Sequence, residues 1–189
     1  MDIGKTLYVT DRKEWRSWLE KNHDKEKEIW LIYYKVHSSK ARIPYNDAVE
    51  EALCYGWIDS TVKRIDEDSF AQRFTPRRKR SQISDMNKER IRMMVDQKKM
   101  TKRGMDVVNH AFDFDADNYK NKKSIAADII EALKHDKIVW QNFENFPESY
   151  KRIRIGWIEG ARHRTEVFKQ RLNYFIKMTA KNKKFGMVQ

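Results

Sequence analysis

A carboxylate followed by several basic side chains is the part of this sequence most able to do chemistry. Asp59 is followed by Lys63 and Arg73, and then by the consecutive pair Arg77 and Arg78. Guanidinium groups bind carboxylates and phosphates through paired hydrogen bonds. The pattern therefore indicates one of two things: a structural ion pair at Asp59, or part of a pocket that binds an anion.

Two predicted strands hold these groups. Residues 58–65 and 70–75 are rich in β-branched and aromatic side chains. The polar residues 66–69 separate the two runs, and Pro76 ends the second. Two such runs joined by a short polar turn are typical of a β-hairpin, so we expect the basic groups to lie on neighbouring antiparallel strands.

The alternation of side chains along a strand predicts which of these groups share a face. We expect Asp59, Thr61 and Lys63 on one face of the first strand, and Arg73 with Thr75 on one face of the second. The predicted ligand-binding surface is the hairpin face together with the residues where the hairpin ends: Trp57, Asp59, Lys63, Arg73, Thr75, Arg77 and Arg78.

The segments before the hairpin predict two helices and one strand. Thr10 precedes a helical pattern that begins at Asp11, and residues 29–36 form a short β-branched and aromatic run. Pro44 occupies a favoured first helical position, and an apolar stripe follows it at helical spacing. Gly56 comes just after the last position of that stripe, where a left-handed glycine ends a helix at little cost.

The segments after the hairpin predict helices. Ser84 or Asp85 begins one helix, and Thr101 caps a shorter one. Residues 113–118 are acidic and irregular, which predicts a connector. From Ser124 onward the apolar residues follow helical spacing to the end of the chain.

Together these elements predict an α+β fold: an antiparallel sheet with packed helices, followed by a helical C-terminal region. The predicted domains are residues 1–115 and 116–189. Within the second, Gly156 and Gly160 each cost a helix about 1 kcal/mol relative to alanine. We expect a close approach of another element, or a bulky partner ring, to explain them.

Composition and charge favour a water-soluble protein that attracts anions. The net charge of the 189 residues is +12, and it is concentrated in residues 71–103 and 121–189. Such a field attracts nucleic acids, phosphates and other anions. The chain has one cysteine, no apolar run long enough to cross a membrane and no secretion signal at its start, so we expect a cytoplasmic protein.

Several familiar kinds of active site are not indicated. Ser60 has no glycines around it that would form a nucleophile elbow. The five histidines have no metal-ligand spacing, and phosphate-binding glycine loops are absent, so we predict neither a metal nor a cofactor. Cys54 is expected to be a small buried residue, and Trp57 is expected to contribute its ring to the core.

Four stretches of the sequence carry a resemblance to a known family. The chain resembles the YdeI/OmpD-associated proteins of bacteria, often labelled bacteriocin-protection proteins, over about Leu7 to Phe175. The most specific part runs from Trp57 to Arg77. Ile83 stands where that family usually has tryptophan. The stretches are LYVTDRKEWRSWLEKNHDKEKEIWLIYYK, EEALCYGWIDSTVKRIDEDSFAQRFTPRRKRSQIS, NKERIRMMVDQKKMT and FENFPESYKRIRIGWIEGARHRTEVFKQRL.

The resemblance implies a fold and a broad role but no reaction. It implies an N-terminal domain similar to the YjbR/CyaY-like α+β fold, followed by a helical region. The family label concerns tolerance to bacteriocins or antimicrobial peptides, and it assigns no catalytic residue. A chain with a net charge of +12 repels cationic peptides, which disfavours direct capture of them.

Three functions are compatible with these observations. The first is a cytoplasmic, non-enzymatic binding or stress-tolerance protein that binds an anionic ligand at the hairpin surface. The second is a nucleic-acid-binding protein that uses the two basic blocks. The third is an enzyme acting on an anionic small molecule with Asp59 as its acid or base. The sequence leaves the ligand and the oligomeric state open.

Overall fold

The fold is described from a computed structural model, which describes residues 2–112 and 125–186. Within these residues the chain forms four strands and eight α-helices, which confirms the predicted α+β fold with a helical C-terminal region. The described residues divide into two units, residues 2–82 with 90–112, and residues 83–89 with 125–186. The predicted connector at 113–118 lies outside the described residues, and the predicted domain boundaries stay predictions.

The first unit contains a mainly antiparallel sheet of four strands in the order β1-β2-β4-β3. The strands are β1 (Thr6–Leu7), β2 (Ile29–Tyr34), β3 (Trp57–Arg64) and β4 (Ser69–Pro76). Strands β3 and β4 form the predicted hairpin, and β4 also pairs antiparallel with β2. The short strand β1, which the sequence pattern did not predict, pairs in parallel with β2.

Two helices cover one face of this sheet. Helix α1 (Arg12–Asn22) begins after Asp11, whose side chain accepts hydrogen bonds from the backbone, and α2 (Tyr45–Cys54) begins after Pro44. From α1, the ring of Trp15 contacts that of Phe74 on β4 with ring centroids 5.4 Å apart. The ring nitrogen of Trp15 also donates to the carbonyl of Ala48 on α2. We call this side of the sheet the helix-packed face.

The predicted end of α2 is confirmed. Gly56 adopts a left-handed backbone conformation with φ of 72°, which side-chain-bearing residues adopt at a cost. Its carbonyl then accepts a hydrogen bond of 2.9 Å from the backbone N–H of Arg77. This bond joins the start of β3 to the residue that follows β4, so Arg77 lies beside the first residues of β3.

A β-bulge in β3 overturns the predicted sharing of a face by Asp59 and Lys63. Asp59 pairs with Phe74, whereas Lys63 pairs with Ala71, and the register shifts between positions 59 and 62. Directly paired residues of antiparallel strands share a face, and Phe74 and Ala71 are three positions apart. The one extra residue in β3 therefore turns Lys63 to the face opposite Asp59. The prediction that Asp59, Thr61 and Lys63 lie together is wrong.

The bulge is held by a buried side chain. The amide nitrogen of Gln72 lies 3.2 Å from the carbonyl oxygen of Ser60 and 3.5 Å from that of Thr61, and it donates to both. Gln72 is buried, so this side chain supplies hydrogen-bond donors for carbonyl groups that leave the regular ladder. The hydrogen bonds from Gln72 therefore stabilise the bulge in β3.

Helix α4 (Lys102–Val108) packs closely against the end of α2. Its cap is Thr101, as predicted, and the Thr101 hydroxyl accepts from the backbone of Gly104 and donates to the carbonyl of Cys54. A Cβ atom at Gly104 would overlap that same carbonyl oxygen. The glycine is required there because two backbones approach each other directly.

Helix α3 (Asp85–Asp96) also begins where predicted. The second unit contains its first turn and four further helices: α5 (Ala127–Lys134), α6 (Lys137–Asn145), α7 (Glu148–Glu159) and α8 (Thr165–Ala180). A buried cluster from these helices forms its core: Ile129, Leu133, Val139, Phe143, Phe146, Tyr150, Ile155, Ile158 and Phe175.

Two contacts in this unit involve residues 85–89 of α3. Arg152 forms a two-pronged ion pair with the buried Glu89. A Cβ atom at Gly156 would overlap the side chain of Asp85, which confirms the predicted close approach at that glycine. No helix within the described residues is both long and apolar enough to cross a membrane.

Candidate functional site

The structure separates the seven residues of the predicted ligand-binding surface. Trp57 and Asp59 pair with Pro76 and Phe74, so both lie on the helix-packed face. Three others lie on the opposite face: Lys63, which pairs with Ala71, Thr75, which pairs with Ile58, and Arg73, which pairs with Trp30. Arg77 and Arg78 follow the end of β4.

Arg73 is held by a carboxylate that the sequence did not indicate. Its Nε atom donates a 2.9 Å hydrogen bond to Glu28, and a terminal nitrogen pairs with the same carboxylate oxygen. The other Glu28 oxygen accepts from the ring nitrogen of Trp30 at 3.1 Å. Hydrogen bonds from Arg73 and Trp30 lower the pKa of Glu28. Arg73 is therefore already paired, on the face opposite Asp59.

Asp59 is joined instead to the first residue of α2. The hydroxyl of Tyr45 donates a 2.6 Å hydrogen bond to Oδ2 of Asp59. Burial, and then this hydrogen bond to a carboxylate, raise the pKa of Tyr45 to about 12. Tyr45 and Asp59 are both half-buried, so their polar atoms remain within reach of a small molecule.

Arg77 supplies a buried cation whose charge interacts with that of Asp59. Its side chain is only 8% exposed, and one terminal nitrogen donates to the Ser81 hydroxyl at 3.1 Å and to the carbonyl of Gln82 at 2.9 Å. Burial lowers the pKa of Arg77, and the charge of Asp59 opposes that shift. Its Nε atom is buried and has no hydrogen-bond partner within the described part of the chain.

Tyr33 supplies a second buried donor without a partner. Its side chain is 2% exposed and stacks on the ring of Phe70, with centroids 5.3 Å apart. Among the residues that the structure describes, its hydroxyl has no hydrogen-bond partner. Burial, followed by the charges of Tyr45 and Asp59, raises the pKa of Tyr33. Its pairing with Phe70 places it on the helix-packed face with Asp59.

Arg90, from α3, is the second buried guanidinium near Asp59. It is 8% exposed, and a terminal nitrogen donates to the side-chain oxygen of Asn46 at 2.6 Å. Burial lowers its pKa, while Tyr45, Glu50 and Asp59 act in the opposite direction. We call Tyr33, Tyr45, Asp59, Arg77 and Arg90 the Asp59 cluster.

A neighbouring ion-pair network balances much of the charge around α2. Arg12 pairs with Asp47 and Glu50, and both Arg12 and Arg16 pair with the buried Glu51. Nε of Arg12 is nevertheless buried without a hydrogen-bond partner among the described residues. An unpaired buried donor is therefore found both in this network and in the Asp59 cluster.

Cys54 and Trp57 have the structural roles that their sequence context predicts. Trp57 is 1% exposed, contacts the ring of Trp18 and donates its ring N–H to the carbonyl of His23. Cys54 is fully buried, and burial raises the pKa of its thiol to about 12. A reactive thiolate is therefore disfavoured at Cys54.

Sequence patterns missed three of the five residues of the Asp59 cluster. Tyr33 is in a predicted strand and Tyr45 in a predicted helix, where an aromatic side chain usually signals core packing. Arg90 lies in a charged helix. The available signal was the position of Tyr45 in the first turn of α2, because helix N-termini attract carboxylates such as Asp59.

Neither a metal-binding cluster nor the cavities along α5 add a site among the described residues. Within residues 2–112 and 125–186, no three His, Cys, Asp or Glu side chains are grouped to hold a metal ion. Two shallow, open cavities of about 460 and 580 Å³ lie along α5, lined in part by Glu131 and His135. Their lining contains no residue of the Asp59 cluster.

The arrangement can bind a small polar group. Asp59 offers carboxylate oxygens, while Arg77 and Tyr33 offer donors that have no acceptor in the described protein. A buried donor without a partner costs free energy, about 1–3 kcal/mol. A bound oxygen atom would remove that cost, which makes the cluster the best-supported candidate site.

Comparison with known protein families assigns the two parts of the chain to different models. Residues 7–107 match a model described as Domain of unknown function (DUF8412). Residues 124–182 match a model described as Bacteriocin-protection, YdeI or OmpD-Associated, which supports the resemblance found in the sequence. No curated protein and no solved structure matches the chain. Because the first model covers more than half of the 189 residues, the protein belongs to the DUF8412 family, and the residues that follow this domain are similar to the bacteriocin-protection family.

Proposed function

We propose that the chain is a cytoplasmic, non-enzymatic binding protein of the bacteriocin-protection type, and that it binds a small anionic ligand at the Asp59 cluster. The observation that carries this proposal is the pair of buried donors without partners, the hydroxyl of Tyr33 and Nε of Arg77. Buried donors in folded proteins are almost always satisfied, so each of these two donors indicates a missing acceptor.

The rigidity of the surrounding groups supports binding at this position. Arg77 is fixed by hydrogen bonds to Ser81 and Gln82, and Tyr33 is fixed by its stack on Phe70. Binding to groups that are already held in place loses less side-chain entropy than binding to mobile side chains. An unpaired guanidinium Nε–H is also well suited to a carboxylate or phosphate oxygen.

The charge of the chain supports an anion as the ligand. The net charge is +12, and the exposed residues that follow Arg77 are also basic. Such a field raises the local concentration of anions and speeds their association. The other predicted ligand-binding residues lie on the opposite face and do not belong to the cluster: Lys63, Arg73, which is paired with Glu28, and the uncharged Thr75.

The link to bacteriocin protection comes from the C-terminal part of the chain. Residues 124–182 match the family model of that description, and the Asp59 cluster lies in the domain that precedes it. We propose that ligand binding by the first domain serves the protective role of the whole chain. The likeness of the N-terminal domain to the YjbR/CyaY-like fold stays a prediction of the sequence.

A thermal-shift screen of the purified full chain tests this function. The panel contains carboxylic acids, phosphates, nucleotides, amino acids and a short single-stranded oligonucleotide. A ligand that binds the folded state raises the melting temperature with its concentration. We expect at least one small anion to do so, and we expect Arg77→Gln to abolish the shift.

Arg73→Gln is the matched control because it removes the same charge from the opposite face. It is expected to keep the shift, with folding of both variants checked by circular dichroism. If no small anion shifts the melting temperature, the proposal fails. If only the oligonucleotide does so, with a steep dependence on salt in both variants, nucleic-acid binding by the basic blocks replaces it.

A further inference from the structure

We infer that the second unit contains a binding site for an aromatic ring that carries a carboxylate, as the last residue of a peptide does, and that Phe185 occupies this site in the structure. The site is formed by α7 and α8. It shares no residue with the Asp59 cluster and does not depend on the proposed function. Two features support it: the surroundings of the Phe185 ring, and the buried guanidinium of Arg154 that lies over that ring.

Arg154, on α7, is a buried cation without an acceptor. Its side chain is 5% exposed, and no hydrogen bond or ion pair joins its guanidinium to another residue that the structure describes. Arg12 and Arg77 also have an unpaired Nε, but their terminal nitrogens bind other residues. Because a buried guanidinium normally binds a carboxylate or another acceptor, Arg154 lacks the partner that an acidic ligand would supply.

The ring of Phe185 shows that the site accepts an aromatic group. Four rings contact it, with centroids 4.8 to 6.4 Å from its own, and they belong to Tyr150, Trp157, Tyr174 and Phe175. The guanidinium of Arg154 lies 4.6 Å from the centroid of the Phe185 ring. This cation–π contact contributes about 0.5–2 kcal/mol, but it leaves the N–H groups of Arg154 without an acceptor.

The backbone on either side of this ring shows how the rest of such a ligand is recognised. The N–H of Phe185 donates a 3.2 Å hydrogen bond to the hydroxyl of Tyr150. The following residue, Gly186, lies against Arg154, since a Cβ atom there would come within 2.7 Å of a terminal guanidinium nitrogen. The carboxylate of a residue bound in the same way would replace the peptide group between Phe185 and Gly186, next to the unpaired donors of Arg154.

A ligand of this kind can displace Phe185. Residues 181–184, which join the end of α8 to Phe185, are exposed, and Phe185 itself is half-buried. Its ring contacts and its hydrogen bond to Tyr150 hold it in the site. A ligand with the same ring and a peptide N–H replaces these contacts and adds the acceptor that Arg154 lacks. This additional interaction favours the ligand-bound state over the state in which Phe185 fills the site.

Fluorine NMR of the full chain labelled with 4-fluorophenylalanine tests the displacement, with the Phe185 resonance assigned from Phe185→Leu. The probe is N-acetyl-phenylalanine, which has the ring, the carboxylate and the peptide N–H. We expect it to move the Phe185 resonance towards the position of a solvent-exposed ring. We also expect it to bind at least about 10-fold more tightly than its amide, which lacks the charge, and than N-acetyl-alanine, which lacks the ring.

Three variants locate the binding. Arg154→Gln is expected to remove the discrimination between the acid and the amide, whereas Arg164→Gln, which removes the same charge from an exposed position, is expected to keep it. Phe185→Ala removes the competing ring and is expected to tighten binding of N-acetyl-phenylalanine by about 10-fold. If Arg154→Gln does not fold, the comparison of the acid with the amide on the unaltered chain still decides the question.

The outcomes separate the site from its alternatives. If the amide binds as tightly as the acid, or if millimolar acid leaves the Phe185 resonance in place, the inference is overturned and Phe185 is a structural part of the helical unit. If 3-phenylpropionate, which lacks the N–H, binds as tightly as N-acetyl-phenylalanine, the recognition of ring and carboxylate is upheld and the ligand is a free aromatic acid. Arg77→Gln is expected to change none of these results, so failure here is distinct from failure of the Asp59 cluster.

Discussion

The hydroxyl of Tyr45 donates a 2.6 Å hydrogen bond to Oδ2 of Asp59, and this bond joins the first residue of α2 to the edge strand β3. Asp59 is thereby held at the N-terminal end of a helix, where the helix dipole favours a negative charge. The carboxylate that the sequence singled out is therefore fixed by a tyrosine rather than by the basic residues of the hairpin.

Two tyrosine hydroxyls near Asp59 are expected to have opposite effects on stability. Tyr45→Phe removes a hydrogen bond to a carboxylate and is expected to lower the free energy of unfolding by about 1–2 kcal/mol. Tyr33→Phe removes a buried hydroxyl without a partner and is expected to raise it by about 1 kcal/mol in the ligand-free protein. Urea denaturation of both variants measures the difference.

The variants Tyr33→Phe and Tyr45→Phe also distinguish an effect on stability from an effect on ligand binding. Because we assign the Tyr33 hydroxyl to the ligand, Tyr33→Phe is expected to bind the ligand more weakly although it is more stable. A Tyr33→Phe variant that is destabilised as much as Tyr45→Phe would show that its hydroxyl already has a partner, and the site would lose one of its two supports.

Stability is expected to fall in alkaline solution as Tyr45 ionises. The folded-state pKa of Tyr45 is raised to about 12 from its ordinary value of 10.0, first by burial and then by the hydrogen bond to Asp59. A group with a raised pKa contributes stability that is fully present below its unfolded pKa and is lost as the pH rises through the folded one. The free energy of unfolding should therefore fall between about pH 10 and 12.

Tyr45→Phe is expected to reduce that alkaline slope, because it removes the ionising group. Tyr174→Phe, which removes a phenol from the surface, is the matched control and is expected to leave the slope almost unchanged. An equal slope in the unaltered protein and in Tyr45→Phe would contradict the burial and the hydrogen bond assigned to Tyr45.

The contact between α4 and the end of α2 is expected to tolerate no side chain at Gly104. Gly104→Ala places a methyl group against the backbone carbonyl of Cys54, which has no freedom to rotate away. We expect a loss of about 2 kcal/mol or more in the free energy of unfolding. Chemical denaturation measures it.

Gly160→Ala is the control for this substitution. The nearest atom to a Cβ there is the carbonyl oxygen of Gly156 at 3.3 Å, and its backbone is in the ordinary helical region. We expect a change of less than about 1 kcal/mol. Similar effects of the two substitutions would mean that the α2–α4 approach is looser than described.

Local sequence signals predicted the helices and strands around the site, but they did not predict which residues form it. Three features could be placed from the sequence because a local signal marks each of them. They are the left-handed glycine at position 56, the proline before α2 and the two strands of the hairpin. The bulge between Asp59 and Val62 could not be predicted from the sequence, because Ser60 and Thr61 are ordinary strand residues and carry no bulge signal.

The partners of the charged residues depend on contacts far apart in the sequence. Glu28, which binds Arg73, is 45 positions away from it, and Asn46, which binds Arg90, is 44 positions away. Such pairs are set by strand order and helix packing. A pattern of charges in one stretch therefore indicated an anion-binding hairpin, while the fold divided the same charges between two faces of the sheet.

The most direct test of the account is the side-chain Nε–H resonance of Arg77 in an NMR titration of the full chain. Its assignment comes from Arg77→Gln, and the Nε–H of Arg73, which donates to Glu28, provides an internal reference in the same spectrum. Addition of an anion found in the screen should shift the Arg77 resonance and slow its exchange with water, with the Arg73 resonance unmoved. An unchanged Arg77 resonance at saturating ligand, or a shift at Arg73 instead, would contradict the assignment of the binding site to the Asp59 cluster.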